Sequence, residues 1–134
     1  MRGLGGMLLV VVGLWAATAV AAGSWVASAP AVTVAMAERT ASSAPLISPA
    51  VELAGGQRIG SVSWQYRTPA GAPVRAWLCH AEECVRLAGP RGQTRALAGR
   101  AAQGPLHFRF ALAEPRQRPV RVEGLQVIVN HQDS

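Results

Sequence analysis

From Trp25 onward the apolar positions of this chain fall mostly at every second residue, the spacing of strands that bury one face. Val32, Val34 and Met36 alternate with Thr33 and Ala35, and Val62, Trp64 and Tyr66 with Ser61, Ser63 and Gln65. Val74, Ala76 and Leu78 alternate with Arg75 and Trp77, then Val85 and Leu87 with Cys84 and Arg86. The longest clean alternation sets Leu106, Phe108, Phe110 and Leu112 against His107, Arg109 and Ala111. Val120 and Val122 follow, then Leu125, Val127 and Val129, with Gly124 between the two groups as a predicted bend or bulge. Turn residues separate the runs, at Gly55-Gly56, Pro69 to Pro73, Gly89 to Gly92, Gly104-Pro105, Pro115 and Pro119. Short strands at this spacing predict an all-β fold, an antiparallel β-sandwich. Thr40 to Gly56 reads as a long irregular connection. Arg95 to Gln103 alone has the alanine content for a helical turn.

The first 22 residues follow a different pattern. Arg2 forms a small basic start, Met7 to Trp15 an apolar run, and Ala19-Val20-Ala21 the small residues that a signal peptidase needs. This predicts a signal peptide over residues 1–21, cleaved after Ala21 or alternatively at Gly23, and a single sandwich domain over 22–134. The competing reading is a retained anchor, because Gly3 to Ala22 is about the ~20 residues that span a bilayer. Glycines interrupt that run, and no basic residue follows it until Arg39.

Composition changes meaning once the leader is set aside. The chain has 134 residues, 13 basic residues that are all arginine, 7 acidic residues and a formal charge of +6. Loss of the leader removes Arg2 alone among the charged side chains, which leaves +5. An exported, basic sandwich meets protein or envelope polymer, so neither nucleic acid nor a membrane beyond the leader is the expected partner. Export also places the two cysteines in an oxidising compartment.

Cys79 and Cys84 flank a four-residue loop between two strand-like pieces, which sets them across a hairpin within disulfide reach. A metal site on Cys79, His80, Glu82 or Glu83, and Cys84 is the rival, but the second ligand arm of a closed zinc site is missing. The spacing also differs from a redox-active CxxC. No G-x-S-x-G elbow is present, Ser61 and Ser63 recruit no base, and Glu82-Glu83 sits at a hairpin tip where burial cannot raise a carboxyl pKa. Gly89 to Gly92 lacks the lysine and helix of a phosphate loop. The sequence thus predicts no catalytic residue, no metal and no cofactor. His107 falls on the polar series of its strand, where a solvated imidazole is expected.

Surfaces remain. Arg91, Arg95 and Arg100 come from one connection, Arg116, Arg118 and Arg121 from another, and Arg75 and Arg86 from the outer series of the hairpin. Arg91, Arg95, Arg116, Arg118 and Trp77 are the candidate partner-binding residues. If the arginines converge they attract an acidic protein or an anionic envelope polymer. Trp64, Tyr66 and Trp77 would make a sugar-stacking platform if exposed, and sandwich core if not.

The ordered set Ser42-Ser43-Ala44-Pro45-Leu46, Trp64-Gln65-Tyr66, Leu78-Cys79 with Cys84-Val85, Gly92-Gln93-Thr94, Pro105 to Phe108, Val120 to Val122 and Val127-Ile128-Val129-Asn130 resembles the flagellar protein FlhE family. The resemblance spans nearly all of the chain after the leader. It implies a periplasmic, non-enzymatic β-sandwich that assists flagellum assembly. Such a protein is chaperone-like or quality-controlling toward rod or hook components and the export apparatus, and limits proton leak. Cys79 and Cys84 match that family's cysteine pair. The chain departs from the pattern after Asn130, at His131-Gln132, and in its arginine-rich stretch from Arg86 to Arg121. Strand-edge capture of a client is the mechanism considered, with Leu125 to Asn130 as the candidate edge or its neighbour. The alternative is an envelope carbohydrate module that binds peptidoglycan.

Overall fold

The alternating residues close into two sheets around one apolar layer. A computed structural model describes residues 22–49 and 54–133. The predicted leader and its cleavage site, residues 1–21, lie outside the described residues. The strands are β1 (Ala22–Ala29), β2 (Val32–Val34), β3 (Ala41–Ser42), β4 (Gln57–Arg67), β5 (Val74–His80), β6 (Glu83–Leu87), β7 (Arg91–Thr94), β8 (Leu106–Leu112) and β9 (Val120–Asp133). One sheet runs β1-β9-β4-β7, with β2 also paired to β9, and the other runs β3-β8-β5-β6. Every pairing is antiparallel, so the predicted antiparallel β-sandwich is the observed fold.

Between the sheets lie Val62, Trp64 and Tyr66 from β4, Val122, Leu125, Val127 and Val129 from β9, and Leu78, Leu106, Phe108, Phe110 and Leu112 from the facing sheet, all buried. Tyr66 meets Phe110 edge to face at 5.1 Å between centroids, and Phe110 stacks on Phe108 at 5.7 Å. Edge-to-face and stacked pairs at such separations add to the area term. Trp64 donates its indole N–H to Gly89 O at 2.9 Å, and Trp25 donates to Ala102 O at 2.7 Å. Each ring therefore enters the core without stranding its one donor.

The predicted bend in β9 is a bulge. Gln65 pairs with Gln126 while Arg67 pairs with Glu123, so β9 fits one more residue than β4 into that interval. Gly124 sits there at φ 65°, a conformation that glycine adopts without the Cβ penalty.

Four expectations change. Arg95 to Gln103 forms no helix: beyond β7 it runs on beside β4 in turns, with Ile59 N–H donating to Arg100 O, Gly99 N–H to Ile59 O and Ala102 N–H to Gln57 O. Backbone groups of β4 need partners wherever they are buried, and this overrides alanine propensity. The predicted turn Gly89 to Gly92 ends early, because β7 starts at Arg91 and pairs Gly92 with Trp64. The hairpin loop is two residues, Ala81 and Glu82, since His80 and Glu83 still pair. Met36 lies beyond β2 and is exposed, so that strand is shorter than its alternation.

Cys79 and Cys84 are directly opposed and bonded, with Cα atoms 4.0 Å apart. Removing the bond with reductant, or as the Cys79→Ala/Cys84→Ala pair, is expected to lower the unfolding free energy by about 2 kcal/mol. Urea titration checks this, and the two routes should agree. A Cβ on Gly92 would stand 2.6 Å from the Trp64 ring, which its hydrogen bond holds in place. Gly92→Ala is therefore expected to cost about 1–3 kcal/mol, read in the same titration.

Candidate functional site

The outer faces of the two sheets differ in chemistry. On the five-stranded sheet, cross-strand pairing sets Val26 beside Ile128 and Ile128 beside Ser63, with rows of Ser28, Gln126, Gln65 and Arg91 next to them. Val26 and Ile128 are exposed. Ser61 Oγ accepts from Gln93 Nε2 at 3.0 Å and from Asn130 Nδ2 at 3.1 Å. Two stretches that are far apart in sequence, Gly92-Gln93-Thr94 and Val127 to Asn130, thus converge on one buried hydroxyl. Beside it, a cleft of about 680 Å³ is lined by Arg58, Arg95, Ser61, Asn130, His131 and neighbouring glycines. Arg58 donates to Gly99 O at 3.2 Å, and His131 Nδ1 lies 3.1 Å from Gln57 Oε1. His131 belongs to β9 and pairs with Gly23.

The outer face of the four-stranded sheet is basic. Trp77 in β5 is opposed by Arg86 in β6 and by Arg109 in β8, and Arg75 lies two residues before it on the same face. The guanidinium carbons of Arg75 and Arg86 stand 5.7 Å and 5.3 Å from the Trp77 ring centroid, within cation–π range. Arg109 Nε donates to His107 Nε2 at 3.2 Å. His107 is half-buried rather than simply solvated; burial and the neighbouring Arg109 hold its pKa below the ordinary imidazole value, against an upward pull from Glu82.

The sequence-derived arginines occupy separate elements. Arg91 opens β7, Arg95 lines the cleft, and Arg116 and Arg118 lie in the exposed β8–β9 connection. Arg100 is paired with Glu83, whose carboxyl pKa is lowered by that hydrogen bond. That ion pair, together with His80 Nε2 at 3.1 Å from Ala101 O, ties the hairpin tip to the 95–103 segment. Trp64 and Tyr66 are core residues, so the three-aromatic platform does not form and Trp77 stands without them. Arg109 was missed as a neighbour of Trp77, although its place on the outer series of its strand was the available signal. Among the described residues no group of three His, Cys, Asp or Glu side chains is placed to hold a metal, and the cysteines of the rival metal reading are bonded to each other. No helix among the described residues is long and apolar enough to cross a membrane.

Strand edges complete the inventory. β3 has two residues, β7 has four, and β6 carries Glu83 and Arg86. Among the described residues β1 pairs only with β9, and its eight residues include no charge and no proline. Leu125 to Asn130, the sequence candidate for an edge, lies in the interior of the sheet between β1 and β4. It is the edge's neighbour rather than the edge.

These features define an antiparallel β-sandwich whose distinctive chemistry lies on its sheet faces and one bare edge. The family described as "Flagellar protein FlhE" matches residues 31–132. The chain is 35% identical to the flagellar protein FlhE of Yersinia enterocolitica over 127 residues, covering 92% of this chain and 91% of that protein. It is 36% identical to that of Escherichia coli (strain K12) over 117 residues, covering 81% and 85%. A solved structure described as "Crystal Structure of FLHE" superposes with a TM-score of 0.72 at 30% identity, covering 84% of this chain and 98% of that one. The chain belongs to the FlhE family of flagellar proteins, which is not known as a family of enzymes.

The depressed pKa of His107 sets a direction for stability against pH. The folded state resists protonating this imidazole, so its contribution is complete above the unfolded value of about 6.5 and is lost as pH falls below it. The urea midpoint should therefore fall between about pH 7 and pH 5, and fall less in His107→Gln, which keeps an acceptor for Arg109. Equal losses in both proteins would assign the pH dependence elsewhere.

Proposed function

We propose that this chain is a periplasmic, chaperone-like accessory of flagellum assembly that holds rod or hook components by strand addition at β1. By acting beside the export apparatus, it also limits proton leak. Membership of the FlhE family supports the flagellar setting. The bare edge of β1 carries the mechanism. Soluble sheets protect their edges by shortness, charge, proline or covering, because an unpaired row of N–H and C=O groups templates another strand. β3 and β7 are short and β6 is charged, whereas Ala22 to Ala29 uses none of these devices. An extended segment of a rod or hook subunit is the kind of occupant such an edge would accept.

An exported form would fit the same setting. The leader over residues 1–21, cleaved after Ala21, would deliver a mature domain 22–134 whose first residue opens β1. In the carbohydrate-binding alternative, Trp77 would have to act without Trp64 and Tyr66, since both are core residues.

Deletion of the gene is expected to produce flagella that polymerise in the periplasm and a cytoplasm that acidifies. Wild-type protein should restore both traits. Val26→Lys with Ser28→Lys, which place charge on the β1 edge, should restore neither while melting at the wild-type temperature. A deletion strain with normal flagella and normal cytoplasmic pH would falsify the reading. Full complementation by the lysine variant would remove β1 from it.

A further inference from the structure

Three arginines surround Trp77 on the outer face of the four-stranded sheet, and none of them has an acidic partner among the described residues. Among the described residues the ion pairs are Arg100 with Glu83 and Arg121 with Glu123. Arg75 reaches Ala37 O through one nitrogen, while its buried Nε has no acceptor. Arg109 spends its Nε on neutral His107. Arg86 is exposed, with its guanidinium over the Trp77 ring. A row of like charges on a flat face raises the local potential and favours an anionic occupant.

We propose that this face is a docking site for an acidic, extended protein segment that lays an apolar residue on Trp77 and places carboxylates on Arg86 and Arg109. The inference deepens the chaperone reading and rests on it for the identity of the partner as a client.

The spacing selects the occupant. Arg86, Trp77 and Arg109 form one row across β6, β5 and β8. The outer two are thus separated by two inter-strand steps, about 10 Å. In a polyproline-type segment, residues three apart return to the same side after about 9 Å. Two acids in that relation span the row, and the segment between them passes over the indole. Arginine receives each carboxylate through paired N–H donors, which adds geometric selection to charge.

The test titrates the protein purified from periplasm, in the proposed 22–134 form that lacks Trp15, with a peptide carrying Glu-Pro-Pro-Glu and with its Gln-Pro-Pro-Gln analogue. Trp25 and Trp64 are 5% and 8% exposed, so the response reports Trp77, and it should vanish in Trp77→Phe. The acidic peptide should bind and the neutral one should not. Arg86→Gln, an exposed change, should weaken binding about tenfold, the worth of one charge-assisted contact. Raising the salt should weaken it further. Equal binding of the two peptides, or unchanged affinity in Arg86→Gln, overturns the proposal. So does arginine-dependent sedimentation with purified peptidoglycan in the absence of peptide binding, which would assign the face to an envelope polymer. These outcomes are separate from the deletion phenotype, which tests the flagellar role whether or not this face binds acid.

Discussion

Strand β9 has to satisfy neighbours on both of its sides over fourteen residues, and Gly124 allows it to do so. On one side β1 ends at Ala29, opposite Leu125, and β2 begins at Val32, opposite Val122. Pro30 falls in the gap, where the missing N–H costs no ladder bond. On the other side β4 slips register at the same level, between Gln65 and Arg67. All three lines of chain therefore change direction together. The bulge adds twist where Tyr66 crosses to Phe110, so the sheet curves over the aromatic pair of the facing sheet. A residue with φ confined to negative values at position 124 would break the ladder on the β4 side. The inward alternation of Leu125, Val127 and Val129 would then lose its phase relative to Val120 and Val122.

What alternation can reveal, the sequence revealed. Leu106 to Leu112 and Val62 to Tyr66 bury the sides their patterns name, because a period of two is a property of the single strand. β7 was hidden because Gly92-Gln93-Thr94 has no apolar side chain to mark it. Its inward position is filled by the Trp64 ring, which belongs to another strand. The helix expected over Arg95 to Gln103 failed for the same reason in reverse. Alanine is a local signal, and the open backbone groups at Gln57 and Ile59 are a distant demand. The β9 strand read as a possible edge is interior because sheet order follows from non-local pairing that no window of sequence contains.

The same division governs the surface chemistry. The cysteine pair was legible because both partners belong to one hairpin. Trp77 was legible as outward-facing from its alternation with Leu78. Its flanking by Arg86 came within reach once the hairpin was drawn, but Arg109 required knowing that β8 lies on the other side of β5. The arginine count by itself misled, since Arg100 is neutralised by Glu83 and Arg121 by Glu123. Position rather than number makes the basic face.

The bare edge and the basic face sit at opposite sides of the sandwich. β2 packs beside β3, so the β1–β2 line and β3 share one side. β6 and β7, joined through Ala88, Gly89 and Pro90, share the other. Arg86, in the edge strand β6, lies on that far side from Val26 in the edge strand β1. One short extended segment cannot run along β1 and also cover Trp77 without crossing the end of the sandwich. The two surfaces are therefore separable by mutation, and a client long enough to wrap the domain would engage them as linked sites whose affinities reinforce each other through the tether.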